Sequence, residues 1–209
     1  MVGRIIETDL CVAEGVAHLV LVEPRFGAAV ALTGPLPLRR RVDGFTALLD
    51  AIVSQQVSVA SADAVVAKLE RAGLTDPVAV ALAPDEALRA CGLSRQKMRY
   101  LRALAGAELD YAGLRVEPTE VVIARLVEIP GIGRWTAEIY AMFSLGRADA
   151  FAPGDLALQE AARLIFALEA RPTEKMLRAM AEDWAPWRGV AARLLWAYYE
   201  HAKDRRGTR

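Results

Sequence analysis

From Asp43 onward, most of the sequence consists of short segments in which apolar residues recur at helical spacing, and turn residues separate these segments. Segments such as DGFTALLDAIVSQQ and SADAVVAKLERAGL place apolar residues at the spacing of one helix face. Several segments open with Ser, Thr or Asp, which are preferred at helix N-caps. Short turns separate them, and no fixed-period repeat is present. The pattern predicts a mainly α fold, a compact array of short helices.

Residues 1 to about 36 depart from this pattern. The stretches VAHLVLVEP and AAVALTGPLP are β-branched, apolar and punctuated by Gly and Pro, which favours short strands. We therefore predict a short β-like segment at 1–38, a helical domain at 39–205 and a tail at 206–209. At 209 residues the chain can bury a sizeable core, and we expect two helical lobes around a cleft.

Charge and cysteine content exclude several classes of protein. The chain has 26 Lys plus Arg and 26 Asp plus Glu, so a site for a polyanion must be local. Cys11 and Cys91 are isolated, which leaves no metal knuckle, iron–sulfur ligand set or disulfide framework. No signal-like segment and no run long enough to span a bilayer is present. We expect a cytoplasmic monomer that does not bind membranes.

The stretch LVEIPGIGRWTAE, residues 126–138, predicts a helical hairpin. Pro130 prevents the first helix from continuing, and Gly131 and Gly133 allow a tight turn with exposed backbone N–H groups. The first N–H groups of the next helix lack intrahelical acceptors, so a phosphate can bind there. The alternative is a turn in which the glycines serve geometry alone.

Asp155 follows a Pro-Gly pair and opens the helical period DLALQEAARLIFAL. On its own it is a typical N-cap. It lies 24 residues after Gly131. That spacing allows a helix of about four turns and a return loop toward the hairpin. The same residue can therefore cap a helix and take part in chemistry.

The hairpin followed by a Pro-Gly stretch and an Asp resembles the helix–hairpin–helix superfamily of base-excision DNA glycosylases. The segment AEDWAPWRGVAARLLWAYYEHA resembles the C-terminal stretch of the bacterial 3-methyladenine DNA glycosylase II branch, and AIVSQQVSVASADAVVAKL resembles its early helix and loop. The resemblance covers about residues 40 to 205. It implies a fold of helical lobes that binds damaged double-stranded DNA.

The resemblance also implies roles for individual residues. A carboxylate stabilises the cationic sugar that forms when a base is released, and electron-rich aromatic rings attract a cationic flipped base. The implied sites are a catalytic Asp155; a base pocket of Trp135 and Trp196; gap-filling or minor-groove residues Gln55, Gln56 and Leu93; phosphate contacts at Gly131, Gly133, Arg134, Thr136 and Lys97; and backbone carbonyls of Val127, Ile129 and Ile132 for a structural Na⁺ or K⁺. No other cofactor is implied.

The activity implied is monofunctional. Lyase-competent branches carry a nucleophilic Lys after the hairpin, where Trp135 stands here. We expect excision of 3-methyladenine and 7-methylguanine type bases from duplex DNA, which leaves an abasic site. Two alternatives remain open, namely a glycosylase for uracil, mismatches or oxidised purines, and a non-catalytic DNA-binding module. A helical scaffold unrelated to DNA is a third, favoured by the zero net charge.

Packing is the competing interpretation for several of these residues. Tryptophan is highly buried on average, so we expect Trp184 and Trp187 to lie in the core. Gln55 and Gln56 are equally consistent with a polar helix end. The basic residues on the segment that starts at Ser94 can form a solvated face or contact phosphates; they are Arg95, Lys97, Arg99 and Arg102.

Overall fold

Helices account for the regular structure of the computed structural model, which describes residues 2–207, with side chains to residue 204. They are α1 (Asp9–Val22), α2 (Arg25–Thr33), α3 (Phe45–Val53), α4 (Val59–Arg71), α5 (Pro77–Leu82), α6 (Asp85–Ala90), α7 (Arg95–Gly106), α8 (Tyr111–Val116), α9 (Thr119–Val127), α10 (Arg134–Ile139), α11 (Leu156–Ile165), α12 (Glu174–Met180) and α13 (Arg188–Gly207). A π-helical turn, Tyr140–Ser144, follows α10, and a 3₁₀ turn, Ala181–Trp184, follows α12. Within the described residues no strand forms, and the one β pairing is a bridge between Ile5 and Arg147. The predicted mainly α fold is confirmed.

The strands predicted before residue 36 are wrong, because this region forms α1 and α2. Val12 and Leu19 of α1 and Phe26 and Ala29 of α2 are buried, and both helices pack against α13. The stretch VAHLVLV is apolar at almost every position. Such a run does not distinguish a buried helix from a buried strand by its periodicity. Packing against α13 overrides the local β preference of the valines.

The described residues form two compact units. Unit 1 comprises the described residues of 1–40 and 141–209, and unit 2 comprises residues 41–140. In unit 2, α7 packs against α3 and α5, and α9 packs against α10. Leu48 and Ile52 of α3 and Leu101 of α7 are fully buried there. Unit 2 therefore has a hydrophobic core of its own.

Unit 1 is built around α13 and an aromatic cluster. Residues 190–195 of α13 are all buried. Trp184 is 3% exposed, and its ring centroid lies 5.2 Å from that of Phe26 and 5.7 Å from that of Phe166. Trp187 is 5% exposed. The prediction that Trp184 and Trp187 are core residues is confirmed.

The helix α13 is the longest in the described chain, at 20 residues. Of the tail predicted at 206–209, residues 206–207 continue this helix and residues 208–209 lie outside the described residues. Across residues 2–207, no helix combines the length and apolar character needed to cross a membrane.

Candidate functional site

A tight turn joins α9 to α10 in unit 2, as predicted. The Ile132 N–H donates to the Ile129 carbonyl at 3.0 Å, and both isoleucine side chains are buried. Gly131, between them, has a φ of 97°, a backbone conformation that favours glycine. A Cβ at Gly131 would also collide with the ring of Tyr100 on α7. The fold itself therefore requires glycine at position 131.

Gly133, the N-cap of α10, is different. Its φ of −82° and ψ of 166° are open to any residue. A Cβ at this position would meet nothing within 4 Å in the described chain. The first N–H groups of a helix lack intrahelical acceptors, and those of α10 follow directly after Gly133. Glycine here leaves the backbone open to close approach by a ligand from outside.

Two carboxylates hold Arg134 in place. Its Nε donates to Glu138 Oε1 at 2.9 Å, and its Nη2 donates to Glu120 Oε2 at 3.2 Å. Glu138 is only 2% exposed, and Glu120 lies on α9, so the pairs link both helices of the hairpin. A phosphate at Arg134 has to share the guanidinium with these groups. The Thr136 side chain is 7% exposed, so a phosphate contact there depends on its main chain.

The loop after α3 places its two glutamines in different environments. Gln55 Nε2 donates to the Gly131 carbonyl at 2.8 Å, which connects this loop to the hairpin. Gln56 is exposed and has a φ of 57°, in the left-handed region that few non-glycine residues adopt. Residues strained in this way cluster at binding and catalytic sites. Gln56 is thus the better candidate for contact with a ligand.

The segment at the start of α7 supplies one basic side chain and one core residue. Ser94 caps α7 by accepting from the Lys97 N–H at 3.2 Å. Lys97 Nζ donates to the carbonyl of Val53, the last residue of α3, at 2.6 Å. Burial lowers the pKa of Lys97. Leu93 is only 4% exposed, and a side chain buried in this way does not reach a DNA groove, which argues against the contact predicted for it.

Three segments of unit 2 surround one open cavity of about 660 Å³. They are the loop at 55–57, the start of α7 at 92–100 and the hairpin at 127–133. The predicted site residues that line it are Gln55, Gln56, Lys97, Val127, Ile129, Gly131, Ile132 and Gly133. The fold therefore brings together residues that are widely separated in the sequence.

Trp135 lies in the first turn of α10 and is 48% exposed. This exposure is unusual, because tryptophan is highly buried on average. An exposed indole next to an open stretch of backbone has the size and polarisability to stack on a planar ligand. Its environment therefore differs from that of the two core tryptophans.

In unit 1, Asp155 is the N-cap of α11. Its Oδ1 accepts from the Ala157 N–H at 2.8 Å and from the Leu158 N–H at 3.2 Å. Gln159, 7% exposed, donates from Nε2 to the Pro153 carbonyl at 2.8 Å and so holds the loop that precedes the aspartate. Asp155 itself is partly exposed. Two main-chain N–H groups therefore hold the carboxylate of a residue that is not fully buried. In the sequence, the only indication of this role for Gln159 is its position about one helical turn after Asp155.

Trp196 is partly exposed on α13 and packs on Phe143, with ring centroids 5.6 Å apart. The guanidinium of Arg193 lies 4.8 Å from the centre of the Phe143 ring. Arg193 is fully buried and donates to the carbonyls of Leu38 at 3.0 Å and Gly189 at 2.7 Å. Burial lowers the pKa of Arg193 to about 10. Within unit 1, Trp196 therefore packs on Phe143, and Phe143 lies against the buried Arg193.

Comparisons with known proteins agree with this arrangement. Residues 49–186 match the family model described as "HhH-GPD superfamily base excision DNA repair protein". DNA-3-methyladenine glycosylase 1 of Schizosaccharomyces pombe is 30% identical over 203 residues, which cover 91% of this chain and 88% of that protein. The crystal structure of a DNA-3-methyladenine glycosidase from Bacillus halodurans has a TM-score of 0.83 at 31% identity and covers 91% of each chain. The S. pombe Mag1 structure in complex with abasic DNA has a TM-score of 0.74 at 29% identity, over 88% of this chain and 95% of that one.

Proposed function

Because the chain belongs to the HhH-GPD superfamily of base excision DNA repair proteins, we propose that it is a monofunctional DNA glycosylase for alkylated bases. Its substrates are duplex DNA with 3-methyladenine or 7-methylguanine type lesions, and its product is an abasic site. One observation carries the proposal: the Asp155 carboxylate caps α11 in a chain that is similar, over about nine-tenths of its length, to a DNA-3-methyladenine glycosylase and a DNA-3-methyladenine glycosidase.

The chemistry needs a carboxylate near the sugar of the lesion. An alkylated base carries a positive charge and leaves readily with both electrons of the N-glycosidic bond. Positive charge then develops on the deoxyribose, and the Asp155 carboxylate stabilises it or takes a proton from the attacking water. The water oxygen bonds to C1′, and the DNA strand stays intact. Trp135 stands where a lyase carries its nucleophilic Lys, so no Schiff base forms at that position.

The hairpin and the cavity around it supply the contacts to DNA. Main-chain N–H groups after Gly133 bind a phosphate of one strand, a contact that positions the protein without reading sequence. Gln56, exposed in a left-handed conformation, fills the gap left by the flipped base. Trp135 and Trp196 each offer a partly exposed indole for stacking on a cationic base.

A monovalent cation on the hairpin fits the residues present. Val127 ends α9, Ile129 and Ile132 lie in the turn that follows, and all three line the same cavity; oxygen atoms such as their carbonyls are the ligands that hard cations prefer. The Ile129 carbonyl accepts the Ile132 N–H, which leaves a second lone pair on that oxygen. Na⁺ or K⁺ bound by these carbonyls would add positive potential beside a phosphate.

The proposal is tested by incubating the protein with methylated duplex DNA. Released bases are identified by chromatography, and abasic sites are scored separately from strand breaks. We expect release of 3-methyladenine and 7-methylguanine, with abasic sites and no nicks. Release of uracil or an oxidised purine alone would assign the chain to another lesion. Duplex binding without any base release would make it a binding module.

Lys97→Met is expected to weaken binding to abasic duplex and to reduce the slope of log Kd against log salt by about one, since one phosphate contact is lost. Lys68→Met is the control, because Lys68 is exposed on α4 and lies outside the cavity lining. The measurement is fluorescence anisotropy over a salt series, with thermal unfolding of each variant. An unchanged slope for Lys97→Met would remove this residue from the DNA contacts.

A further inference from the structure

We propose that Gln55 is a positioning residue for the hairpin and not a second gap-filling residue. Its side-chain amide donates to the Gly131 carbonyl at 2.8 Å, across 76 positions of sequence. Because the partner is a carbonyl oxygen, only the NH₂ end of the amide can make this bond. The role assigned to the hairpin rests on the proposed function, whereas the bond itself does not.

The bond holds one end of a peptide group whose other end is also held. The carbonyl of Gly131 and the N–H of Ile132 belong to the same planar peptide and point in opposite directions. Gln55 binds the carbonyl, and the N–H donates to the Ile129 carbonyl at 3.0 Å. Rotation of this peptide plane breaks at least one of the two hydrogen bonds. Gly131 provides little restraint of its own, because glycine is the most permissive residue.

Tyr100 restricts the same residue from another direction. Its ring occupies the space where a Cβ of Gly131 would lie. The Tyr100 hydroxyl in turn accepts from Gln96 Nε2 at 2.7 Å, which holds the ring on α7. Gly131 is thus held through its carbonyl, through the next N–H and by packing at its Cα. The direction of the backbone N–H groups that follow is set before DNA arrives, which reduces the ordering cost of binding.

The position of Gln55 in the chain gives the bond a second consequence. Gln56 follows directly and carries the strained backbone of the gap-filling loop. The bond from Gln55 ties this loop to the turn that grips a phosphate. This bond therefore joins the two proposed DNA contacts within unit 2 and constrains the spacing between the vacated base position and the bound phosphate.

Gln55→Met tests this role, because methionine keeps the side-chain length but cannot donate. Gln56→Met makes the same change one position along and leaves the bond intact. Amide hydrogen exchange of peptides covering 126–138 is measured without DNA, and Kd is measured for abasic duplex. For Gln55→Met we expect the amide hydrogens of the hairpin to exchange about 2- to 10-fold faster and the Kd for abasic duplex to rise about 2- to 10-fold. These are the effects of losing one neutral hydrogen bond. The single-turnover excision rate at saturating enzyme should stay at the wild-type value.

Gln56→Met should leave hairpin exchange unchanged. Wild-type exchange in Gln55→Met would overturn the inference, and so would a slower single-turnover rate with unchanged Kd, because Gln55 would then act at the lesion. If Gln55→Met fails to fold, Gln55→Glu takes its place, because glutamate has no side-chain donor at neutral pH. Hairpin exchange in Gln55→Glu that is no faster than in Gln56→Glu would equally overturn the inference. The exchange experiment needs no DNA, so failure of the wild type to release any base would count against the proposed function alone.

Discussion

Asp155→Asn is expected to slow excision of 3-methyladenine by about 100- to 10,000-fold, the range for loss of a group that acts on charge or a proton in the transition state. The substitution removes the negative charge but keeps a side-chain oxygen for the N–H groups of Ala157 and Leu158. Asparagine caps helices about as well as aspartate, so the free energy of unfolding should change by less than about 1 kcal/mol. Single-turnover base release and urea unfolding measure the two effects.

Asp76→Asn is the matched control. Asp76 caps α5 by accepting from the Ala79 N–H at 2.9 Å, so it makes the same kind of capping bond without a proposed role in chemistry. We expect full excision activity from this variant. Wild-type base release by Asp155→Asn would show that Asp155 is only a cap. A large loss of stability in Asp155→Asn would instead assign its effect to the fold.

Alanine substitutions at Gly131 and Gly133 are expected to have different effects, the first on the stability of the fold and the second on DNA binding. Gly131→Ala should destabilise the protein by about 1–3 kcal/mol, since its backbone conformation is strained for alanine and its Cβ meets the Tyr100 ring. Gly133→Ala should keep or slightly raise stability, because its conformation suits alanine. It should nevertheless weaken binding to abasic duplex about 10- to 100-fold, as the methyl group keeps a phosphate from the main-chain N–H groups.

Gly106→Ala is the control, because it adds the same methyl group at a position where no effect on DNA binding is expected. Gly106 ends α7 in the same unit, a Cβ there would meet nothing within 4 Å of the described chain, and it lies outside the cavity at the hairpin. Its Kd for abasic duplex should match the wild type. If Gly133→Ala also binds like the wild type, then nothing approaches that part of the backbone, and the phosphate contact is wrong.

Features with local causes could be predicted from the sequence. The hairpin forms because Pro130 ends the first helix and Gly131, the next residue, takes the positive φ of the turn. The caps also depend on neighbours, and Ser94 and Thr173 make the side-chain bonds expected of residues that open helical segments. The roles of Asp155 and Trp196 came from resemblance to a family, and they stay predictions until variants are measured.

Features that depend on distant partners could not be predicted. The β-branched residues of α1 favoured strands until α13, more than 150 positions later, supplied a surface for a helix. Gln55 and Gln56 look alike in sequence, but Gly131 accepts a bond from only the first of them in the described structure. Leu93 is in the core because of its neighbours in space. No periodicity in the sequence contains this information.

The division of the chain into units has a consequence for its synthesis. Unit 2 is one continuous segment, so its internal contacts are complete once residue 140 has left the ribosome. The helices α1 and α2 are made before unit 2, but they pack on α13, which begins at Arg188, well after unit 2 ends. Arg188, the first residue of α13, follows Phe26 by 162 positions, so at about 5–20 residues per second Leu19 and Phe26 are made roughly 10 to 30 s before their partner helix begins. We therefore expect the nascent chain to complete unit 2 before unit 1, with the apolar faces of α1 and α2 open to chaperones in the interval.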